Sequence, residues 1–161
     1  MAKTIRFGPI AIPLSQAFFA SKHSFGLVNL KPVRPGHVLV VSRRPAVRFS
    51  ELTPDEVADL FVQGQRVSRV IEKLHSAAAL TLCVQDGAAA GQTVPHVHLH
   101  VIPRHPGDFD DNDDVYREID SSGHQPRVDN PERTPRTPED MAAEAIVLRA
   151  ELGGWDDSNV C

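Results

Sequence analysis

Five consecutive residues, His96-Val97-His98-Leu99-His100, concentrate the chemistry of this chain. They sit in a stretch running from Pro95 to Arg104 in which polar and apolar residues alternate. That alternation predicts a β-strand over roughly 95–103, because successive strand side chains point to opposite faces. The three imidazoles then share one face, roughly 6.5–7 Å apart between neighbours. Val97, Leu99 and Val101 share the other. Three rings side by side admit three readings. The first is a polar strand face turned to solvent. The second is a metal site, since zinc takes imidazole nitrogens readily. The third is a catalytic centre, since histidine titrates near neutrality and its neutral ring nitrogen is a usable nucleophile. A zinc site needs a further ligand, and the nearest carboxylates, Asp86 and the Asp-rich run 108–114, stand at no firm spacing. In the catalytic reading the central ring, His98, attacks, and phosphorus suits it as electrophile because its oxygens need mainly donors. Just upstream, Gly91-Gln92-Thr93-Val94 offers a glycine, an amide and a hydroxyl. Backbone N–H groups in such a segment can cradle an anion.

The elements that must position these rings are legible as periodicities. Residues 4–7 and 16–20 read as short strands around a turn containing Pro and Gly. Residues 24–30 and 37–42 read as a hairpin across the breaker-rich Lys31-Pro32-Val33-Arg34-Pro35-Gly36. Thr53-Pro54-Asp55-Glu56 opens a helix with a capping box, and Val57, Leu60, Phe61, Val67, Val70, Ile71 and Leu74 continue it to about residue 75. Residues 79–85 read as a strand ending at the turn Asp86-Gly87. Residues 105–136, rich in Asp, Pro, Arg and Asn, read mostly as a long mobile loop. Thr137-Pro138-Glu139-Asp140 caps a last helix carrying Met141, Ala145, Ile146 and Leu148, which stops at Gly153-Gly154. The tail from Trp155 is short and polar. Grouped strands with one long helix between them predict an α+β fold on an antiparallel sheet.

The 161 residues, 41% hydrophobic and 24% charged, suit one soluble domain with a real core. A net charge of −4 gives no global basic field of the kind that draws a protein to nucleic acid. No apolar stretch approaches a membrane span, and the N-terminus lacks a secretory h-region. Cys83, expected as a buried thiol, and the terminal Cys161 form no disulfide framework. A cytoplasmic protein, with nuclear access left open, is the expectation.

The run His96-Val97-His98-Leu99-His100-Val101-Ile102 resembles the motif of the histidine triad (HIT) superfamily. Arg6-Phe7-Gly8, Leu27-Val28-Asn29, Gly36-His37-Val38-Leu39-Val40, Gln85-Asp86-Gly87, Ala90-Gly91-Gln92-Thr93-Val94 and Gly107-Asp108-Phe109 resemble its fragile-histidine-triad (Fhit) branch of diadenosine polyphosphate hydrolases. The likeness covers about residues 5–117 and the last helix. It implies a HIT-like fold: an antiparallel five-stranded sheet with one long and one C-terminal helix, the sheet extended across a homodimer with the first helix at the interface. It implies cleavage of dinucleoside polyphosphates, diadenosine triphosphate giving AMP and ADP, through a nucleotidyl-histidine. His98 would attack the α-phosphorus, His100 would contact the phosphate and the leaving oxygen, His96 would support His98, and His37 would help to order the triad. Asn29 would meet ribose, Gln85 and Gly91, Gln92, Thr93 and Val94 the phosphates, Ile10 the nucleotide, and Phe7, Ile12, Leu27 and Leu39 the base. A divalent cation, Mg²⁺ or Mn²⁺, would come with the substrate, with no protein metal site and no tightly bound cofactor. Tyr116 matches a loop tyrosine that is phosphorylated in some relatives. Two departures stand out: Pro95 before the triad, and residues 118–136, which do not follow the branch and bear on polyphosphate length. A nucleotide-binding signalling module acting as the substrate complex, or a nucleoside phosphoramidase, are the alternatives.

Overall fold

The computed structural model describes residues 3–120 and 133–154. Expectations for Trp155, Cys161 and the middle of the 105–136 stretch lie outside these residues. The chain opens with an antiparallel hairpin, β1 (Thr4–Phe7) and β2 (Ile10–Pro13), turned at Gly8. The second of these strands falls where the sequence predicts a turn; Ile10-Ala11-Ile12 is too short to register a period. A 3-10 turn at Leu14–Gln16 leads into β3 (Ala17–Ala20), followed by β4 (Ser24–Val28) and β5 (Val38–Ser42). Helix α1 (Pro54–His75), β6 (Ala79–Cys83) and β7 (His98–Arg104) complete a five-stranded antiparallel sheet of order β3-β4-β5-β7-β6. This is the expected α+β class.

Helix α1 starts as its sequence predicts. The Glu56 N–H donates to Thr53 Oγ1, and the Thr53 N–H donates to the Glu56 carboxylate at 2.8 Å. Arg44 forks onto the same carboxylate at 2.7 and 2.8 Å and holds its pKa down at about 2. Leu60, Val67 and Ile71 are buried against the sheet, whereas Phe61, placed on that face by the periodicity, stands 45% exposed. Gly64 occupies the closest approach: a Cβ there would lie 2.5 Å from Leu99 Cδ2 on β7. The last helix, α3 (Pro138–Glu151), takes its cap from Thr137 and buries Met141, Ala145 and Leu148. Ile146 turns outward.

The sheet therefore has two faces with separate cores. Val38, Val40, Leu99 and Val101 pack with α1 and α3. Phe25, Leu27, Leu39 and Val41 pack on the other side with Phe7 of the hairpin and Val94. Pairing partners in antiparallel strands share a face, so the register runs Leu27–Leu39–His100–Cys83 in one row and Phe25–Val41–His98 in the next. Cys83 is half-buried rather than buried, because β6 is the sheet edge.

The stretch read as a loop contains a helix, α2 (Asp114–Asp120). Val115 is fully buried and Ile119 reaches the cavity described below, an i, i+4 pair that a seven-residue element barely reveals. The path into α2 is set at Phe109, held between the guanidinium groups of Arg34 and Arg104 at 4.2 and 4.9 Å from its ring centre. Arg104 also forks onto Asp108 at 2.7 and 2.9 Å, which holds that carboxyl at about 2.

Candidate active site

The three histidines do not share one strand. Strand β7 begins at His98, and His96 precedes it in a bend. Pro95 has no N–H to donate to a ladder, and the Val97 N–H goes to Ala46 O at 2.8 Å, pulling the chain off the sheet. The His96 ring accordingly does not line the cavity. Gly8, at φ 57° in the hairpin turn, donates its N–H to His96 Nδ1 at 2.9 Å. Nδ1 is thereby an acceptor, so Nε2 carries the proton and donates it to Ser42 O at 2.6 Å. His96 is a neutral, fully bonded ring whose backbone carbonyl faces the next histidine.

That carbonyl sets the state of His98. His98 Nδ1 lies 2.7 Å from His96 O, and a carbonyl only accepts, so Nδ1 carries the proton. His98 Nε2 is left with its lone pair exposed, the form a nucleophile needs. Phe7 packs edge-on against the ring at 5.1 Å between centres. Burial drives the His98 pKa down to about 4, against the opposing pull of the His96 carbonyl.

A second chain of bonds sets His100. The Val33 N–H donates to His37 Nδ1 at 3.1 Å, so the neutral His37 ring carries its proton on Nε2. His37 Nε2 lies 2.9 Å from His100 Nδ1 and donates to it. His100 therefore holds its proton on Nε2, which is buried and has no hydrogen-bond partner. Burial first, then the charge of Arg133, holds His37 at about 3. Burial and the two neighbouring imidazoles push His100 well below its ordinary value. The His98 and His100 ring centres are 4.9 Å apart. One cavity thus contains, side by side, a nitrogen lone pair and an N–H seeking an acceptor.

The cavity has a volume of about 210 Å³. Phe7, Ile10, Ile12, Leu27 and Leu39 form its apolar end, and Asn29, His37, Gln85, Thr93, Val94, His98 and His100 also line it. Asn29 is oriented by the Lys31 N–H, which donates to its Oδ1 at 3.1 Å, while its Nδ2 donates to His37 Nδ1 at 3.4 Å. Of the residues singled out in the sequence, three are elsewhere. His96 sits behind His98. Gly91 ends a 3-10 turn, Ala88–Ala90. The Gln92 side chain turns away, accepting the Gly87 N–H at 3.0 Å and donating to Val47 O at 2.9 Å. Lys31, Ile119, Arg133 and Met141 line the cavity without having been anticipated. Arg133 and Ile119 come from the stretch with no readable period. Among the described residues, no cluster of three or more His, Cys, Asp or Glu side chains could hold a metal ion.

The HIT domain profile matches residues 13–107. The chain belongs to the HIT family. Its relatives place it in the Fhit branch. The bis(5'-adenosyl)-triphosphatase of Dictyostelium discoideum is 46% identical over 91% of this chain and 91% of that protein. The nitrilase and fragile histidine triad fusion protein NitFhit of Caenorhabditis elegans is 47% identical over 90% of this chain. This HIT protein spans about a third of that fusion, 32% of its length. Among solved structures, the diadenosine triphosphate hydrolase of Plasmodium falciparum in complex with cyclomarin A superposes with a TM-score of 0.73. It is 27% identical, covering 93% of this chain and 84% of that one.

Proposed function

We propose that this HIT protein hydrolyses dinucleoside polyphosphates by way of a nucleotidyl-histidine on His98. The observation that carries the reading is the pair of proton positions in one cavity: an unprotonated His98 Nε2 beside a protonated, unpartnered His100 Nε2. The His98 lone pair attacks the α-phosphorus, forming a P–N bond. The bond from that phosphorus to the bridging oxygen breaks, and the leaving nucleotide keeps the bonding electrons. His100 donates its N–H first to the phosphate and then to the departing oxygen. Water next attacks the phosphorus, the P–N bond breaks, and the nucleoside monophosphate leaves. Diadenosine triphosphate would give AMP and ADP. The apolar end of the cavity suits a base, and Asn29, Gln85 and Thr93 supply polar contacts along the sugar and phosphates.

The same reading assigns a substrate-borne Mg²⁺ or Mn²⁺ to part of the polyphosphate charge. It takes the chain as a single domain that works as a homodimer in the cytoplasm. Among the described residues no helix is long and apolar enough to cross a membrane.

The test is His98→Asn. Hydrolysis of diadenosine triphosphate should fall by roughly 10³-fold or more; turnover within tenfold of wild type would overturn the assignment. Rapid acid-free quench with substrate labelled at the α-phosphate should trap label on wild-type protein and none on the variant.

A further inference from the structure

The proposed reaction brings several negative charges into a cavity whose four nearby histidines are all held neutral. Among the described residues, two cationic ones line that cavity, Lys31 and Arg133. Arg133 differs from the arginines that fork onto carboxylates. Arg44 and Arg104 each fork onto a carboxylate, Glu56 and Asp108 respectively, at 2.7–2.9 Å. Arg133, only 22% exposed, makes no such fork among the described residues. Its amino groups donate to two neutral acceptors, Lys31 O at 3.2 Å and Glu118 O. Among the described residues its buried Nε has no hydrogen-bond partner, and it meets Glu118 Oε2 only as a loose ion pair at 4.0 Å. The carbonyls fix the direction of the guanidinium without cancelling its charge. A shielded guanidinium with an unsatisfied N–H is costly, and a guanidinium fits phosphate oxygens in particular.

The order of groups across the cavity says which phosphates. From the attacking His98, the next ring is His100 at 4.9 Å and the next His37 at 5.2 Å; Arg133 donates to Lys31 O, and the Lys31 N–H holds Asn29, whose amide lies against His37. Arg133 therefore lies beyond the ring that serves the departing oxygen, away from the nucleophile. We propose that Arg133 is a specificity residue that binds the phosphates of the leaving nucleotide, beyond the attacked phosphorus. The inference rests on the hydrolase reading above.

Three substrates separate the possibilities: diadenosine triphosphate, diadenosine tetraphosphate, and the p-nitrophenyl ester of AMP, which has no phosphate beyond the attacked one. Arg133→Met keeps length and packing and removes charge. It should lower kcat/KM for both dinucleotides by about tenfold or more, mainly through KM, and change the ester by less than twofold. Arg133→Lys should recover part of the loss. Equal loss on all three substrates would overturn the proposal, because the guanidinium would then serve the retained nucleotide or the fold. Unchanged kinetics on the dinucleotides would overturn it as well. A wild-type protein that hydrolyses neither dinucleotide would overturn the hydrolase reading itself, a result distinct from an active wild type matched by its Arg133→Met variant. Ester turnover by the variant reports that it is folded.

Discussion

Four imidazoles that burial holds neutral set the acid side of this protein's behaviour. His98 must be neutral to attack, and its pKa is lowered to about 4. An ordinary histidine would lose its lone pair below about pH 6.5. Here kcat/KM should hold as pH falls through 6 and decline only as it approaches 4; a half-point near 6.5 in the pH–rate profile would contradict the burial argument. The same shifts couple to stability. Unfolded, these histidines bind protons near pH 6.5; folded, His98 and His37 resist until about 4 and 3. Their contribution is present above pH 6.5 and is lost as pH falls through the folded values. The melting temperature should therefore drop steadily between pH 6.5 and 4, and less in a His37→Gln variant. That variant also tests positioning: without the His37 N–H bond, His100 can shift its proton to Nδ1, so kcat should fall about tenfold while KM stays within twofold.

At the scale of elements, the site is a matter of strand register backed by close helix packing. Gly64 is where α1 meets β7, and Leu99, one residue from His98, fills the space a side chain would need. Leu99 is itself buried, so its methyl has little room to yield. Gly64→Val should destabilise the fold by about 1–3 kcal/mol in denaturant titrations, despite removing a helical glycine. Much of this layer was legible in advance. The capping box at Thr53, the cap at Thr137, the hairpin across 31–36 and the strand nature of residues 98–103 follow from short-range chemistry. What escaped the sequence depends on distant partners. His96 looks equivalent to His98 by alternation, yet Gly8 and Ser42, far along the chain, claim both its nitrogens. Gln92 looks like a phosphate donor, yet Gly87 and Val47 occupy its amide. Helix α2 and Arg133 carry no period, and only burial against the cavity defines them.

For the whole molecule, the sheet ends in an edge that no other described strand pairs. Strand β6 pairs only with β7 among the described residues, and its Leu82 is 47% exposed. Phe61 and Val62 of the adjacent α1 are 45% and 61% exposed. An uncovered edge flanked by apolar side chains suits pairing with a second copy. Leu82→Arg should convert a dimer to a monomer in sedimentation velocity, and a wild type that sediments as a monomer at micromolar concentration would rule the homodimer out.

The β1–β2 hairpin has a further consequence. It lies almost wholly ahead of the residues that match the family, 13–107. Yet it supplies the Gly8 N–H that fixes His96 and the Phe7, Ile10 and Ile12 wall of the cavity. A message translated from a start codon placed at Pro13 would yield a polypeptide with the whole motif and all five strands of the main sheet. That product would still count as a member by its sequence. Its His96 ring would be free to turn, and its nucleotide cleft would stand open along one side.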